Sequence, residues 1–349
     1  MRRPLFIVPA ILAVVVAAWS GAWFYLAGRI QSGFETWVET QRENGIEVEY
    51  GLAAVSGYPW RWRMRIDGPV ARNAAPVAWA WQGESILADL LPWRLDRIAL
   101  TFPGLHRLSI SRDGAILPLA ARADSPLGEL RLGAEGQVTA MGLALGGLEV
   151  ALGRGVDIPE RVRADHAGLT VLMPPPSPDR PPHLSPSLEV VLAAERVTFP
   201  DGLGGVLGAT IGVVGVDASL MGAIPPGRAG QGLQAWRDDG GTVELKSLRL
   251  VWGKLDLAMN GTLALDAEMR PLGGLTAVIR GYAETVDVLV ARGLLRANQA
   301  AAAKIVFGLM ARTPPEGGPP QINVPVAAQD GTLSLAGFPI AALPALVFE

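Results

Sequence analysis

The sequence contains no cysteine, which excludes disulfide scaffolds, cysteine-ligated zinc, iron–sulfur clusters and thiol nucleophiles. Histidine is also scarce. The three histidines, His106, His166 and His183, stand apart, and no pair has the H-x-x-x-H spacing of a metal-binding helix. The interpretation of each as a surface or turn residue is favoured, and we expect neither a metal site nor a cofactor.

Long charged runs are missing as well. The net charge is −3, and the 30 basic and 33 acidic residues are spread along the chain. Without a basic block to neutralise phosphates, nucleic acid is not an expected partner. Only 18% of the residues are charged while 50% are hydrophobic, which is unusual for a freely soluble protein. The apolar excess must therefore be buried or must face something apolar.

The sequence has no catalytic motif in a context that supports a catalytic role. We find no usable Gly-x-Ser-x-Gly elbow, phosphate-binding loop or Ser-x-x-Lys pair. The sequence therefore predicts a protein that is not an enzyme.

The amino-terminal segment has the composition of a membrane span. The 25 residues Pro4–Gly28 carry no charge, and an α-helix of this length crosses a hydrocarbon core of about 30 Å. Aromatic rings that favour the headgroup region lie near its distal end, at Trp19, Trp23 and Tyr25. Arg2 and Arg3 hold the amino end in the cytoplasm. We predict a transmembrane anchor over residues 1–28, with the bulk of the chain outside.

A cleaved signal peptide is the alternative. Arg2 and Arg3, an apolar run and small residues at Ser20 and Ala22 fit its three-part pattern, with cleavage near Ala22. Against cleavage, the apolar run continues through Trp23 and Leu26. Both interpretations place the chain in the periplasm.

The residue pattern then changes from helical to extended. Apolar positions at 30, 34, 37 and 38 predict a juxtamembrane helix over residues 29–45. Beyond it, apolar residues alternate with charged ones, which predicts strands; the first β-rich region is predicted over residues 46–173.

Tryptophan and arginine alternate in that region. Trp60, Trp62, Met64 and Ile66 are predicted on one strand face, and Arg61, Arg63 and Arg65 on the other. A second strand from Val77 places Trp79 and Trp81 on one face. These four tryptophans form either a sheet core or a lipid-facing wall. The arginines are either headgroup contacts or a solvated outer face.

Proline marks the middle of the chain. Residues 174–186 are predicted as a linker, or as a long loop within one continuous sheet. The second β-rich region, residues 187–349, contains an irregular stretch at 222–241 and four short strands between 242 and 281. In that region Leu255, Leu257 and Met259 share one apolar face and are predicted, with the four tryptophans, to form the lipid-facing wall. A helical pattern predicts one helix over 284–311.

Short motifs resemble a known family. They are the turn Gly57–Arg61, the strand Val77–Trp81 and the segment Leu91–Trp93. Together they resemble the proteobacterial inner-membrane proteins grouped as domain of unknown function 2125, over most of residues 5–345. The order of elements over 242–335 is similar to the carboxyl-terminal half of AsmA-like proteins. Those proteins have one amino-terminal anchor and a curved β-sheet whose apolar groove is implicated in binding or moving phospholipid.

These observations together predict a mainly β protein. An amino-terminal transmembrane helix is followed by an elongated, curved antiparallel sheet with a carboxyl-terminal helix packed on it. The resemblance implies a bacterial inner-membrane protein that binds or transfers lipid along an apolar sheet groove, with membrane lipid and other envelope proteins as partners. The alternative is a scaffolding module of the cell envelope.

Overall fold

A computed structural model describes residues 7–74, 78–112, 115–153, 161–177, 179–200, 204–225, 229–315 and 317–346. The sequence predictions that involve Arg2, Arg3, Pro4 and Val77 lie outside these residues. Strands make up 52% of the chain and helices 23%, and the strands pair antiparallel, which confirms the predicted mainly β class.

The first element is one continuous helix, α1 (Ile7–Glu43). It joins the predicted anchor and the predicted juxtamembrane helix without a break. Its amino-terminal half exposes large apolar side chains, among them Ile11, Leu12 and Val14. An 18-residue stretch of this helix has a mean hydropathy of 1.9, so the helix is long and apolar enough to cross a membrane.

The chain divides into two compact units, residues 1–122 with 126–137 and residues 123–125 with 138–349. Unit 1 holds α1 and ten strands. These are β1 (Ile46–Glu49), β2 (Ala53–Ser56), β3 (Trp62–Asp67), β4 (Val70–Asn73), β5 (Ala78–Gln82), β6 (Ser85–Leu91), β7 (Arg94–Thr101), β8 (His106–Arg112), β9 (Ala115–Arg122) and β10 (Ser125–Leu132).

The strands of unit 1 form two antiparallel ladders, in the orders β1-β4-β5-β8-β9 and β2-β3-β6-β7-β10. Consecutive strands such as β1 and β2, or β7 and β8, therefore belong to different ladders, and the chain bends between the two strands of each pair. Gly104 lies at one such bend with φ +88°, where an added Cβ would lie 2.1 Å from the Glu84 carboxylate. Only glycine fits a bend this close to a neighbouring strand.

Unit 2 is a meander in which each strand pairs with the next along the chain. Its strands are β11 (Val138–Leu152), β12 (Arg161–Leu172), β13 (Pro186–Thr198), β14 (Thr210–Met221), β15 (Thr242–Trp252), β16 (Leu255–Leu265), β17 (Pro271–Arg280), β18 (Gln321–Gln329), β19 (Thr332–Leu335) and β20 (Phe338–Ala342). Its helices are α2 (Ala229–Asp238), α3 (Tyr282–Ala291) and α4 (Ala297–Met310).

Two segments of unit 2 have a different secondary structure from the one predicted. The stretch 222–241, expected to be irregular, contains α2, because burial of Trp236 outweighs the poor helix propensity of the glycines around it. The helix expected over 284–311 is two helices. Gly293 takes a left-handed conformation (φ +73°) that ends α3, and the Gln299 side chain accepts a hydrogen bond from the Arg296 backbone at the start of α4.

Two further predictions concern the connections between strands. The two strands expected between 255 and 266 are the single strand β16. The proline-rich segment joins β12 to β13, which are antiparallel neighbours inside unit 2.

Candidate functional site: an apolar sheet face in unit 2

The register of unit 2 aligns apolar residues in rows that cross eight strands, from β11 to β18. The central row consists of Leu143, Leu169, Leu192, Val216, Leu248, Met259, Ala277 and Val324. The row on one side consists of Leu145, Ala167, Ala194, Val214, Leu250, Leu257, Ile279 and Ile322.

A third row consists of Met141, Val171, Val190, Ala218, Leu245, Gly261, Leu275 and Val326. Directly paired residues point to the same side of a sheet, so these rows form one surface without an ionisable side chain. We call this surface the apolar face. It includes Leu257 and Met259 of the predicted wall, and Leu255 lies on the same side of β16.

Irregularities in the strands keep the apolar residues in register. β15 shifts its pairing with β16 between Leu245 and Leu248, so that Leu245 and Leu248 both face the same side although three positions separate them. Such a bulge inserts an extra residue in one strand and leaves its partner regular. Without it, the alternation of β15 would turn polar residues onto the apolar face.

The carboxyl-terminal end of the apolar face is closed. Burial alternates along β18, with Ile322 at 0% and Val324 at 1% exposure while Asn323 and Pro325 between them are exposed. α3 packs on β16 and α4 packs on β18, and Val286 and Ala300 are their buried side chains. Because the opposite side of β18 is exposed, the helices cover the apolar side.

Among the described residues, α3 and α4 pack on β16 and β18 and leave the other strands of the apolar face more exposed. On β13 the exposure of Leu192 on the apolar face is 42%, and that of Val191 on the opposite face is 41%. At this pair of positions neither side of the strand is covered. Met141 is 40% exposed, Leu143, Leu169 and Val216 are half-buried, and Val171 is buried. We call the part of the apolar face on β11–β15 the open stretch.

One helix lies at the end of these strands. In α2 the indole of Trp236 is 2% exposed and donates a hydrogen bond to the Met221 carbonyl at the end of β14 (2.8 Å). Arg237 donates to the carbonyl of Ala267 in the β16–β17 turn (2.9 Å). Helix α2 therefore ties the end of β14 to the β16–β17 turn.

Charged residues lie on the opposite side of the sheet. Lys246 on β15 donates to Glu189 on β13 (2.7 Å), reaching across β14. This hydrogen bond lowers the pKa of the Glu189 carboxyl and raises the pKa of the Lys246 ammonium. Asp256 accepts from Arg249 (3.2 Å) on the same side. The two sides thus differ in chemistry, and the apolar face offers contacts for apolar chains and no acid or base.

In unit 1 the predicted tryptophan wall is not uniform. Trp62, which begins β3, is 3% exposed, stacks on Trp23 of α1 with 6.3 Å between ring centroids, and donates to the Trp23 carbonyl (3.1 Å). Trp60 was expected on the same strand face, but it lies in the preceding turn and is 71% exposed. The reason is local, because Gly57 (φ +101°) accepts backbone hydrogen bonds from Trp60 and Arg61, which delays the strand.

Trp79 and Trp81 share one side of β5, as expected, and both are half-buried. Trp81 stacks on His106, with ring centroids 5.8 Å apart. The other side of this ladder forms a shallow pocket of about 340 Å³ lined by Glu47, Arg72, Ala80, Ser109 and others. Trp79 also lines this pocket. Arg72 and Ser109 pair with Ala80, so most of the pocket lies on the side of β5 opposite Trp79 and Trp81.

The arginine row has carboxylate partners that the sequence pattern did not reveal. Arg63 makes a bidentate ion pair with Asp89, which faces it on β6, and the hydrogen bond raises the pKa of the guanidinium. Arg65 pairs with Asp67 (2.7 Å). Arg61, before β3, is 3.9 Å from Asp89 and remains largely exposed.

Within the described residues, no group of three or more histidine or acidic side chains is placed to hold a metal ion. The three rows themselves were not predicted from the sequence. Alternation is weak on β11–β14 because small residues such as Gly168 and Gly215 occupy the opposite face, and only the pairing register brings the leucines together.

Comparison with known proteins gives one result. A search of the curated proteins gave no match. A family model described as an uncharacterized protein conserved in bacteria (DUF2125) matches residues 23–344, nearly the whole chain. Helix α1 from Trp23 onward, all the strands from β1 to β20 and the apolar face lie within that match. The chain therefore belongs to the DUF2125 family.

Proposed function

We propose that this protein binds or transfers lipid along the open stretch of its apolar face, without catalysing a reaction. The single observation that carries the proposal is the contrast along the three rows. They keep the same apolar chemistry from β11 to β18, yet α3 and α4 pack at the β16–β18 end, and Leu192 on β13 stays 42% exposed.

The size of the open stretch suits acyl chains. Five strands span about 19 Å across at about 4.8 Å per strand, and three alternating positions span about 13 Å along each strand. The resulting area of about 250 Å² is close to the lower end of the roughly 300–600 Å² of the largest apolar patch on a typical monomer, which is often functional. Each methylene that leaves water for such a surface gains about 0.8 kcal/mol, so a single acyl chain supplies a large favourable term.

The proposal includes a location. We infer that α1 is an uncleaved anchor in the bacterial inner membrane and that both units lie in the periplasm. Supporting retention of the anchor, Trp19 and Ser20 contact Pro59 and Tyr58 of unit 1, and these contacts would be lost on cleavage near Ala22. The resemblance of residues 242–335 to AsmA-like proteins in the order of elements implies the same location.

A scaffolding role is the second candidate, favoured by one observation. All five residues of β20 are exposed, including Phe338 at 73%, and among the described residues β20 pairs only with β19. An exposed edge strand accepts an added strand from another polypeptide. Other envelope proteins are the partners that this alternative implies.

Native mass spectrometry of gently extracted protein tests the lipid proposal. Leu192→Glu places a charge on the open stretch, and Ala193→Glu places the same charge on the adjacent, equally exposed position of the opposite face. We expect co-purified phospholipid on the parent protein and on Ala193→Glu, and its loss from Leu192→Glu.

Since both positions are exposed, both variants should fold, which matched circular dichroism spectra would verify. Lipid retained equally by both variants would contradict the proposal. A parent protein free of lipid whose β20 captures a polypeptide would favour the scaffolding role instead.

A further inference from the structure

The turn between β2 and β3 is fastened to α1. We call residues 57–61 the aromatic loop. The Trp19 indole donates to the Pro59 carbonyl (3.2 Å), the hydroxyls of Ser20 and Tyr58 lie 2.7 Å apart, and the Trp23 indole donates to the Arg61 carbonyl (3.2 Å). Tyr58 also stacks on Phe24, with 5.6 Å between ring centroids. These contacts fix the position of the aromatic loop along the axis of α1, beside residues 19–24.

The chain reaches this level by running back along α1. Arg42 donates to the Val48 carbonyl (2.8 Å) near the end of the helix, and Tyr50 packs against Phe34. The ten residues from Val48 to Tyr58 bend between β1 and β2 and can span at most about 33 Å. The helix rises by the same amount, about 33 Å, from Ser20 to Arg42. Strands β1 and β2 thus return the chain antiparallel to α1, and the aromatic loop is the turning point.

That turning point lies within the uncharged part of the helix. Arg29 is the first charged residue after the apolar run, and it lies about 14 Å along the axis beyond Ser20. Between them, Phe24 and Tyr25 expose most of their side chains. If about 20 residues after Arg3 fill a hydrocarbon core of about 30 Å, its outer boundary falls near Trp23. The aromatic loop is then at or below the boundary.

The exposed side chains at this end of unit 1 match a membrane interface. Trp60 at the tip of the loop is 71% exposed, and Trp93 is 65% exposed. Because Trp62 pairs with Leu90, the β6–β7 turn with Trp93 lies at the same end of the ladder. Arg61 and Arg94 are exposed beside them. Tryptophan with arginine is the composition that favours the headgroup region.

We propose that the aromatic loop and the β6–β7 turn are seated in the headgroup–acyl boundary of the membrane that α1 crosses, with Trp60 and Trp93 as anchoring rings. The lipid surface is the occupant because the loop is tied to the membrane helix at the level of that surface. This inference depends on α1 crossing a membrane and is independent of lipid binding by the apolar face.

The absence of cysteine permits a direct test in the full-length protein. Trp60→Cys is labelled with an environment-sensitive nitrobenzoxadiazole dye in vesicles of phosphatidylethanolamine and phosphatidylglycerol. Trp37→Cys is the matched control, since Trp37 is also an exposed tryptophan and lies on α1 itself, about 27 Å along the axis beyond Trp19. Nitroxide lipids labelled near the headgroup then report depth.

We expect at least twofold stronger quenching by nitroxide lipid at position 60 than at position 37, and stronger quenching by aqueous iodide at position 37. Equal quenching at both positions, or iodide quenching alone at position 60, would overturn the inference. Both positions are exposed, so both variants should keep the circular dichroism spectrum of the parent. Failure here leaves the native mass spectrometry result untouched, so the two proposals fail separately.

Discussion

The two ends of the apolar face have the same chemistry and opposite environments. Around β18, Ile322 and Val324 are fully buried in the region where α3 and α4 pack. On β13, Leu192 in the same row as Val324 keeps 42% of its surface exposed. Apolar rows therefore do not define a core by themselves. Cover by another element decides whether a position contributes to folding or stays available for a ligand.

Unit 1 repeats the contrast on a smaller scale, and the first prediction uses it. Trp62 is covered by α1, whereas Trp60 two residues earlier is exposed. We expect Trp62→Ala to lower the free energy of unfolding by about 3–5 kcal/mol because it removes a buried ring and a hydrogen bond. Trp60→Ala should change it by no more than about 0.5 kcal/mol. Denaturant titration in detergent measures both, and equal losses would contradict the assigned burial.

The second prediction compares the two ends of the apolar face. Ile322→Ala should cost about 2–5 kcal/mol, since the cavity would open in a closed core. Leu192→Ala should cost less than about 1 kcal/mol, because water already reaches the side chain. If Leu192→Ala proved as costly as Ile322→Ala, the open stretch would be covered in solution and the comparison would fail.

The third prediction concerns the attachment of α3, one of the two helices that cover the closed end of the apolar face. Gly281 joins β17 to α3 with φ +66°, and an added Cβ would lie 1.8 Å from the Lys254 carbonyl oxygen. Gly293 after α3 has a similar φ of +73° and open space around it. Left-handed backbone costs a residue with a Cβ about 1–2 kcal/mol at either site.

Gly281→Ala should therefore destabilise by more than Gly293→Ala, and it should raise amide hydrogen exchange in α3 and β16. The same exchange in both variants would mean that the Gly281 connection does not hold α3 on the sheet.

The smallest predicted effect concerns the opposite face. The hydrogen bond from Lys246 lowers the folded-state pKa of Glu189, so its stabilisation is present above the unfolded pKa of about 4.3 and is lost as pH falls through the folded value. The contribution should be under about 1 kcal/mol, since the pair is partly exposed.

Glu189→Gln should then be less stable than the parent protein at pH 7, with the difference shrinking as the pH falls below about 4.3 and through the lowered folded-state pKa of Glu189. A difference that persisted at acid pH would rule out the ion pair as its cause.

Much of the architecture could be predicted from residue patterns. The uncharged run predicted α1, and the alternation around Trp62 and Leu257 predicted strands whose apolar and polar sides are confirmed. These features depend on local periodicity, which the sequence contains directly.

Other features depend on distant residues. The bulge between Leu245 and Leu248 and the pairing of Leu143, Leu169 and Leu192 follow from strand register, which no single segment encodes. The partner of Arg63 is 26 residues away, at Asp89. Helix α2 forms because Trp236 finds a buried site, so its glycine-rich segment gave no local signal.

Site-specific photocrosslinking in intact membranes tests the central claim most directly. A benzophenone side chain replaces Leu192 on the open stretch or Ala193 on the opposite face, and intact mass identifies the adduct after irradiation. We predict a phospholipid adduct at position 192 and little or none at position 193. Equal adducts at the two positions, or no lipid adduct at position 192, would contradict a lipid-binding apolar face.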